Sequence, residues 1–238
     1  MIPDRYVWLV WSSAFLVPWA LLYWRRPGQR RAMLWASVFT TPFGLTEPLF
    51  VPEYWNPPSL FGLARSTGFD IESLIFSFGI GGAGAVLYNV VTGRRPEPVD
   101  PVERHHPRHR FHRWALAMPL LVFLPLALLP WNVIYPGIAA MLAGGVATAL
   151  CRPDLAPRTL VGGALFVGYY LVFVVGVEVT APGYVERVWN FSSLTGVRVG
   201  PVPLEELLFA FGFGTYWSGV YEHVTWHRGG KPAGRSGD

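Results

Sequence analysis

The sequence predicts an all-α integral membrane protein with seven transmembrane helices. Of its 238 residues, 52% are apolar and only 14% are charged, whereas about a quarter of the residues in an ordinary soluble domain carry a charge. The apolar residues fall into long segments, and the arginines are concentrated in alternate connections between them. These segments must be helices, because lipid offers no partner for the backbone groups of an open strand.

Seven apolar segments are predicted to cross the bilayer. The last is about 33 Å long at the helical rise of 1.5 Å per residue, which is enough to span the hydrocarbon core. Several segments contain proline, which membrane spans tolerate because neighbouring groups satisfy the freed backbone atoms. The seven segments are 6–24, 32–50, 71–91, 114–129, 133–150, 160–177 and Leu204–Thr225.

The distribution of basic residues orients the predicted helices. Arginine and lysine are concentrated in the connections after the first, third and fifth helices and in the C-terminal tail, and the other connections are poor in both. By the positive-inside rule, the N-terminus is outside and the C-terminus is inside. The basic residues are Arg25, Arg26, Arg30 and Arg31; Arg94, Arg95, Arg104, Arg108, Arg110 and Arg113; Arg152 and Arg158; and Arg228, Lys231 and Arg235.

An internal repeat divides the chain. A shift of 133 positions aligns residues 71–81 with 204–214, so that Glu72 falls on Glu205. Predicted helices 1 to 3 therefore correspond to helices 5 to 7, and helix 4 is an extra crossing that gives both triplets the same orientation. This predicts a parallel 3+1+3 duplication about an axis along the membrane normal. The predicted parts are 1–97, the first repeat; 98–132, a basic cytoplasmic loop and linking helix; 133–226, the second repeat; and 227–238, a cytoplasmic tail.

Three acidic residues are the candidate catalytic groups: Glu72, Glu205 and Glu206. They begin the third and seventh predicted helices, and acids at the edge of hydrocarbon are costly and commonly functional. Carboxyl groups close together in a dry site cannot all ionise easily, so one of them can serve as a neutral general acid. The alternative is helix capping, for which Asp70 and Pro203 stand at suitable positions. Recurrence of the acids in both repeats favours the catalytic interpretation.

Further side chains at the same predicted level are candidates for substrate binding. Glu47 and Glu178 end the second and sixth helices, although loop acids are often merely solvated. Interfacial tryptophans commonly form an aromatic belt, but aromatic faces can also stabilise a cation. The candidate binding residues are Glu47, Glu178, Asn132, Asn190, Trp55, Trp131, Trp189, Phe76, Phe209 and Phe211.

Four histidines in the connection before helix 4 resemble metal ligands: His105, His106, His109 and His112. Pro107 interrupts any helix there, and the arginines among them favour a basic loop attracted to anionic lipid. We therefore expect contact with membrane lipid, no metal and no cofactor. One cysteine cannot form a disulfide framework.

Other functional classes are disfavoured by the sequence. Gly79, Gly81 and Gly84 match a dinucleotide-binding pattern by spacing, but no βαβ context surrounds them, so close helix packing is the better interpretation. Nucleic-acid binding is not expected, because the basic residues are spread over separate loops. A retinal-binding receptor needs a lysine within the bundle, and the chain has only Lys231, in the tail.

The repeated acids, the seven spans and the Trp-Asn loops together resemble the lycopene cyclase domain family, the non-flavin, membrane-embedded carotenoid cyclases, in its fused two-repeat form. The resemblance covers nearly the whole chain. Its most specific motif is Pro203, Glu205 and Glu206, followed by Leu207 and Phe209. The first repeat departs from it: Asp70 occupies the position of Pro203, and Ser73 that of Glu206.

The resemblance implies an isomerase of carotenoid biosynthesis in the cell membrane. A carboxylic acid protonates the ψ-end of a linear carotene, the nearby alkene attacks the cation and closes a ring, and a base removes a proton to give, as expected here, a β-end. Glu205 or Glu206 would be the acid, with Glu72 as the counterpart from the first repeat. The implied partner is a lipophilic carotenoid, and a homo-oligomer or association with other carotenoid enzymes is left open. The alternatives are a related hydratase and a non-enzymatic transporter or binding protein.

Overall fold

The computed structural model describes residues 2–230, which are mostly helical. Residues 231–238 of the predicted tail, with Lys231 and Arg235, lie outside the described residues. The α-helices are α1 (Asp4–Ala14), α2 (Leu16–Arg25), α3 (Arg30–Thr40), α4 (Leu63–Thr67), α5 (Ile71–Thr92), α6 (Pro101–Arg104), α7 (His112–Leu126), α8 (Ile134–Cys151), α9 (Ala156–Thr180), α10 (Tyr184–Val188) and α11 (Leu204–Thr225).

Two short antiparallel strand pairs join connections that are distant in sequence. β1 (Pro96–Pro98) pairs with β4 (His227–Gly229), with Glu97 opposite Arg228. β2 (Arg198–Val199) pairs with β3 (Val202–Pro203), directly before α11. The β1–β4 pair holds the chain segments that follow α5 and α11 against each other.

Within residues 2–230, four stretches are long and apolar enough to cross a membrane: Asp4–Arg25, Ile71–Thr92, Ile134–Cys151 and Pro153–Thr180. These stretches indicate a multi-pass membrane protein. The first contains α1 and α2, and the last contains α9. Seven crossings and their orientation remain predictions.

Each of the other three predicted spans has a feature that makes it a shorter α-helix or a less apolar one. The predicted segment 32–50 is α-helical only over α3 and continues as a 3-10 helix, Thr41–Leu49, which contains Pro48. Proline lacks the backbone N–H that a regular α-helix uses, so it favours such a change. α7 has 15 residues with Pro119 and Pro125 inside it, and α11 has 22 residues but includes three acids.

Glycines let the long helices approach closely. α11 packs against α9, α8 and α5, and α3 packs against α5. A Cβ on Gly214 of α11 would lie 2.6 Å from the carbonyl oxygen of Gly162 of α9, and one on Gly81 of α5 would lie 3.1 Å from the Ala36 carbonyl oxygen of α3. The predicted role of Gly81 in close helix packing is therefore confirmed, and Gly214 has the same role in α11.

The two repeats contact each other at both ends of the α5–α11 pair. Trp55 and Trp189 form an antiparallel bridge, and their rings lie 5.3 Å apart. At the other end, Asn89 Nδ2 donates to Glu222 Oε1 at 2.9 Å, and these two positions are related by the shift of 133. Glu222 also forms a buried ion pair with Arg158 of α9, at 2.5 Å.

We expect loss of this buried ion pair to be costly. Arg158→Met leaves the Glu222 carboxylate buried without its cation, which should lower the free energy of unfolding by about 3–5 kcal/mol. Arg187→Met breaks the exposed ion pair with Asp4 and should cost much less, because solvent screens that pair. Equilibrium unfolding in mixed micelles measures the free energy of unfolding of both variants. Equal losses of stability in the two would contradict a larger contribution from the buried Arg158–Glu222 pair.

Candidate active site

Glu206 lies in the first turn of α11, where it is only 3% exposed. Its Oε1 accepts hydrogen bonds from the Tyr54 hydroxyl and from Trp189 Nε1, the latter at 2.7 Å. Its Oε2 lies 2.6 Å from the Tyr170 hydroxyl of α9. Two loops and one helix therefore converge on a single buried carboxyl group.

Glu205 points to a different set of partners. Its Oε1 accepts from the Tyr135 hydroxyl at 2.9 Å, from the Thr195 amide at 2.9 Å and from the Thr195 hydroxyl at 2.7 Å. Its Oε2 is buried and has no hydrogen-bond partner among the described residues. The two adjacent acids thus have separate environments, and each bonds to other elements of the fold rather than capping its own helix.

An open cavity of about 490 Å³ has Tyr135, a partner of Glu205, among its lining residues. Trp131 and Asn132 also line it, together with Glu53, Pro130, Val133 and Ser193. Tyr135 therefore links the lining of this cavity to Glu205 through one hydrogen bond.

Aromatic rings surround the partners of Glu206. The Tyr170 ring lies 5.9 Å from Phe209, 6.3 Å from Phe76 and 5.6 Å from Phe173. Trp55 packs edge-on against Trp8 at 4.7 Å and contacts Trp189. The structure therefore brings four of the predicted aromatic residues, Trp55, Trp189, Phe76 and Phe209, into one cluster around this acid.

The remaining predicted binding residues occupy other places. Asn132 Nδ2 and Asn190 Nδ2 both donate to the Glu53 carbonyl oxygen, at 2.8 and 3.2 Å, so they hold the loops together. Trp131 is exposed and donates to the Leu126 carbonyl oxygen. The Phe211 ring lies against Gly163 of α9, and Glu178 accepts from the Gly183 amide at 2.5 Å in the turn after α9. Substrate contact by these residues remains a prediction.

The acids of the first repeat form a second group. Glu72 is fully buried, its Oε1 accepts from the Leu60 amide at 2.6 Å, and its Oε2 has no partner among the described residues. Asp70 accepts from the Ser73 amide at 2.6 Å, which confirms the predicted cap of α5. The Ser73 hydroxyl donates to Glu47. Since Ser73 is equivalent to Glu206, Glu47 supplies a carboxyl group next to the position at which the first repeat lacks one.

Sequence reasoning missed the tyrosines and the threonine that hold the acids: Tyr54, Tyr135, Tyr170 and Thr195. One signal was available for Tyr54, which directly precedes Trp55 and Asn56 in one of the two Trp-Asn loops. Another was available for Tyr170, because a hydroxyl within an apolar helix needs a polar partner in the bundle. The partner itself could be identified only from the three-dimensional structure.

Comparison with protein families identifies the relationship. The family model described as lycopene cyclase matches residues 6–91 and 132–224, well over half of the chain. The chain belongs to the lycopene cyclase family. One matched segment contains Glu72 and the other contains Glu205 and Glu206, so the resemblance drawn from the acid motif is confirmed. Comparison with curated proteins and with solved structures gives no match.

The hydrogen bond between Tyr170 and Glu206 should contribute measurably to stability. Tyr170→Phe leaves a buried carboxyl oxygen without a partner, which should lower the free energy of unfolding by about 1–3 kcal/mol. In a Glu206→Met background the same change should cost much less, because no carboxyl group is left to satisfy. Equilibrium unfolding of the wild type, the two single variants and the double variant gives the coupling free energy between Tyr170 and Glu206.

Tyr169→Phe is the matched control, since the neighbouring Tyr169 hydroxyl is buried without a partner among the described residues. Its removal should be neutral or stabilising. A loss from Tyr169→Phe as large as that from Tyr170→Phe would show that the Glu206 contact is not the source of the effect.

Proposed function

We propose that this protein is a carotenoid cyclase that converts the ψ-end of a linear carotene to a β-end with no net redox change. Membership of the lycopene cyclase family implies carotenoid cyclisation. The observation that carries the mechanism is the pair of adjacent buried acids, Glu205 and Glu206, with different hydrogen-bond environments beside an aromatic cluster.

Glu206 is the proposed acid. Burial away from water disfavours a charged carboxylate. Protonation of a weakly basic alkene requires an acid that is shielded from water, because water would otherwise accept the proton first. Tyr54 and Trp189 donate to Oε1, which suits a carbonyl oxygen. Oε2 accepts one hydrogen bond from the Tyr170 hydroxyl and, in this proposal, carries the proton. These three partners are positioning residues that hold the acid in place.

The cation formed by protonation needs stabilisation that does not quench it. The faces of aromatic rings attract a cation without forming a bond to it, and Phe76 and Phe209 lie in the cluster around Tyr170. The alkene attacks the tertiary cation, a carbon–carbon bond forms, and the positive charge moves into the new ring. Water at this stage would give a hydroxylated linear product instead.

Glu205 is the proposed base. Its buried Oε2 lacks a hydrogen-bond partner among the described residues, so it can accept the proton that leaves the ring. Thr195 and Tyr135 stabilise negative charge on the other oxygen by donating to it. One proton is added and one is removed, so the reaction is an isomerisation. Glu72, which also has an unpartnered oxygen, is the counterpart of Glu205 in the first repeat.

We further propose the predicted membrane arrangement: seven crossings in a parallel 3+1+3 duplication, with the N-terminus outside. Support comes from contacts between the two halves, Trp55 with Trp189 and Asn89 with Glu222. Arginines from two basic connections, Arg25 and Arg26 with Arg94 and Arg95, also line one shared cavity of about 180 Å³. Connections of the same charge therefore lie at the same end of the bundle, as a single cytoplasmic side requires.

Expression in a host that accumulates lycopene tests the activity. The wild-type chain should form a monocyclic or dicyclic carotene, and Glu206→Gln should reduce its formation by about 10²–10⁴-fold, the usual contribution of a positioned acid. Glu205→Gln should also reduce it, because the base is lost. Glu186→Gln, a change at an exposed acid in an ion pair with Arg198, is the control and should leave it unchanged.

Pigment analysis of the same cultures separates the alternatives. A hydroxylated linear carotenoid from the wild-type chain would identify a hydratase. Unchanged lycopene, with the protein shown to be folded in the membrane, would contradict the proposed substrate and leave the acids with structural roles.

A further inference from the structure

Histidine and cysteine side chains from three helices meet at the end of the bundle opposite to Glu206. His112 begins α7, Cys151 ends α8, and His223 lies in the last turn of α11. One potential ligand atom from each residue lies within 4.8 Å of the other two. Cys151 Sγ lies 3.5 Å from His112 Nδ1.

His223 has a ring nitrogen that nothing satisfies among the described residues. The side chain is 1% exposed, and its Nδ1 lies 3.0 Å from the Thr148 hydroxyl. Its Nε2 is buried without a partner. An unsatisfied buried polar atom costs about 1–3 kcal/mol, and a bound ion is one of the usual reasons for such an atom in a native structure.

We propose that His112, Cys151 and His223 bind a divalent transition metal of the Zn²⁺ type. Two imidazoles and one thiolate are ligands that zinc prefers over the hard cations Mg²⁺ and Ca²⁺. Three protein ligands leave a fourth position, which water can fill. This metal site is separate from the acids, since it lies at the other end of α11.

Neighbouring side chains orient the three ligands. The Thr148 hydroxyl fixes the His223 ring, and the Trp226 ring stacks on His112 with centroids 4.2 Å apart. His109 Nε2 accepts from Arg108 Nε at 3.0 Å, so the ring proton is on Nδ1, which lies 3.9 Å from Cys151 Sγ. His109 therefore donates toward the thiolate instead of binding the metal, a common way to tune such a ligand.

The nearby arginines do not oppose a bound cation strongly. Arg152, next to Cys151, makes two hydrogen bonds to the Asp154 carboxylate, at 2.8 and 2.7 Å. Arg108 forms an ion pair with Glu103 at 2.7 Å. Because each guanidinium has an acidic partner, much of its charge is compensated locally.

Binding of a metal here would fasten the start of the linking helix α7 to two helices of the second repeat. Within the histidine-rich connection only His112 ligates, and His105 and His106 are exposed. This differs from a metal site built within the loop alone, which Pro107 and the spacing of the histidines disfavour, because Cys151 and His223 come from other helices.

Metal content of the purified chain tests this proposal, with an affinity tag that contains no histidine. Elemental analysis should find about one zinc per chain in the wild type, and the content should fall at least about 10-fold in Cys151→Ala and in His223→Ala. His109→Ala should weaken affinity about 10–100-fold, as loss of a supporting partner commonly does. His105→Ala is the matched control from the same loop and should bind as the wild type does.

Cobalt titration of the metal-free wild-type protein gives a second readout that needs no variant to fold. A thiolate-to-cobalt charge-transfer band can arise only from Cys151, because the chain has one cysteine. We expect that band to appear at one equivalent and to disappear when zinc is added. No retained zinc together with no such band, or full metal content in a folded Cys151→Ala protein, would overturn the proposal.

Discussion

A carboxyl group placed among apolar helices must find its hydrogen bonds inside the protein, and Glu206 shows how much of the fold this need organises. Its partners come from the loop before α4, from α9 and from the segment after α10. The pairing of Trp55 with Trp189 joins the same two loops directly. If these loops moved apart, Glu206 would lose two partners at once, so the acid and the loops stabilise each other.

The duplication gives the two halves a common framework but different chemistry. Where the second repeat has Glu206, the first has Ser73, whose hydroxyl donates to Glu47. At the opposite end, Asn89 meets its equivalent Glu222, and the charge of Glu222 is balanced by Arg158. The first half thus supports acidic groups of the second, since Asn89 donates to Glu222 and Tyr54 donates to Glu206.

Much of the fold and part of the site could be predicted from the sequence. The apolar segments predicted a mostly helical, multi-pass protein, and the spacing of the repeated acids led to the family. The change from α-helix to 3-10 helix after Thr40 was not predicted, because it depends on how the prolines are accommodated among neighbouring helices. Tyr170 and Glu206 are 36 positions apart, and His112 lies in a predicted connection whereas His223 lies in a predicted helix, so no local pattern links either pair.

The central claim is that Glu206 is held as a neutral acid while its neighbour Glu205 is a charged base. Isotope-edited infrared spectroscopy of the purified protein in lipid measures this directly, because a protonated carboxyl group and a carboxylate absorb at different frequencies. The wild-type-minus-variant spectrum should show a lost carboxylic-acid band for Glu206→Gln and a lost carboxylate band for Glu205→Gln. The reverse assignment, or a carboxylate band lost with Glu206→Gln, would contradict the proposed mechanism.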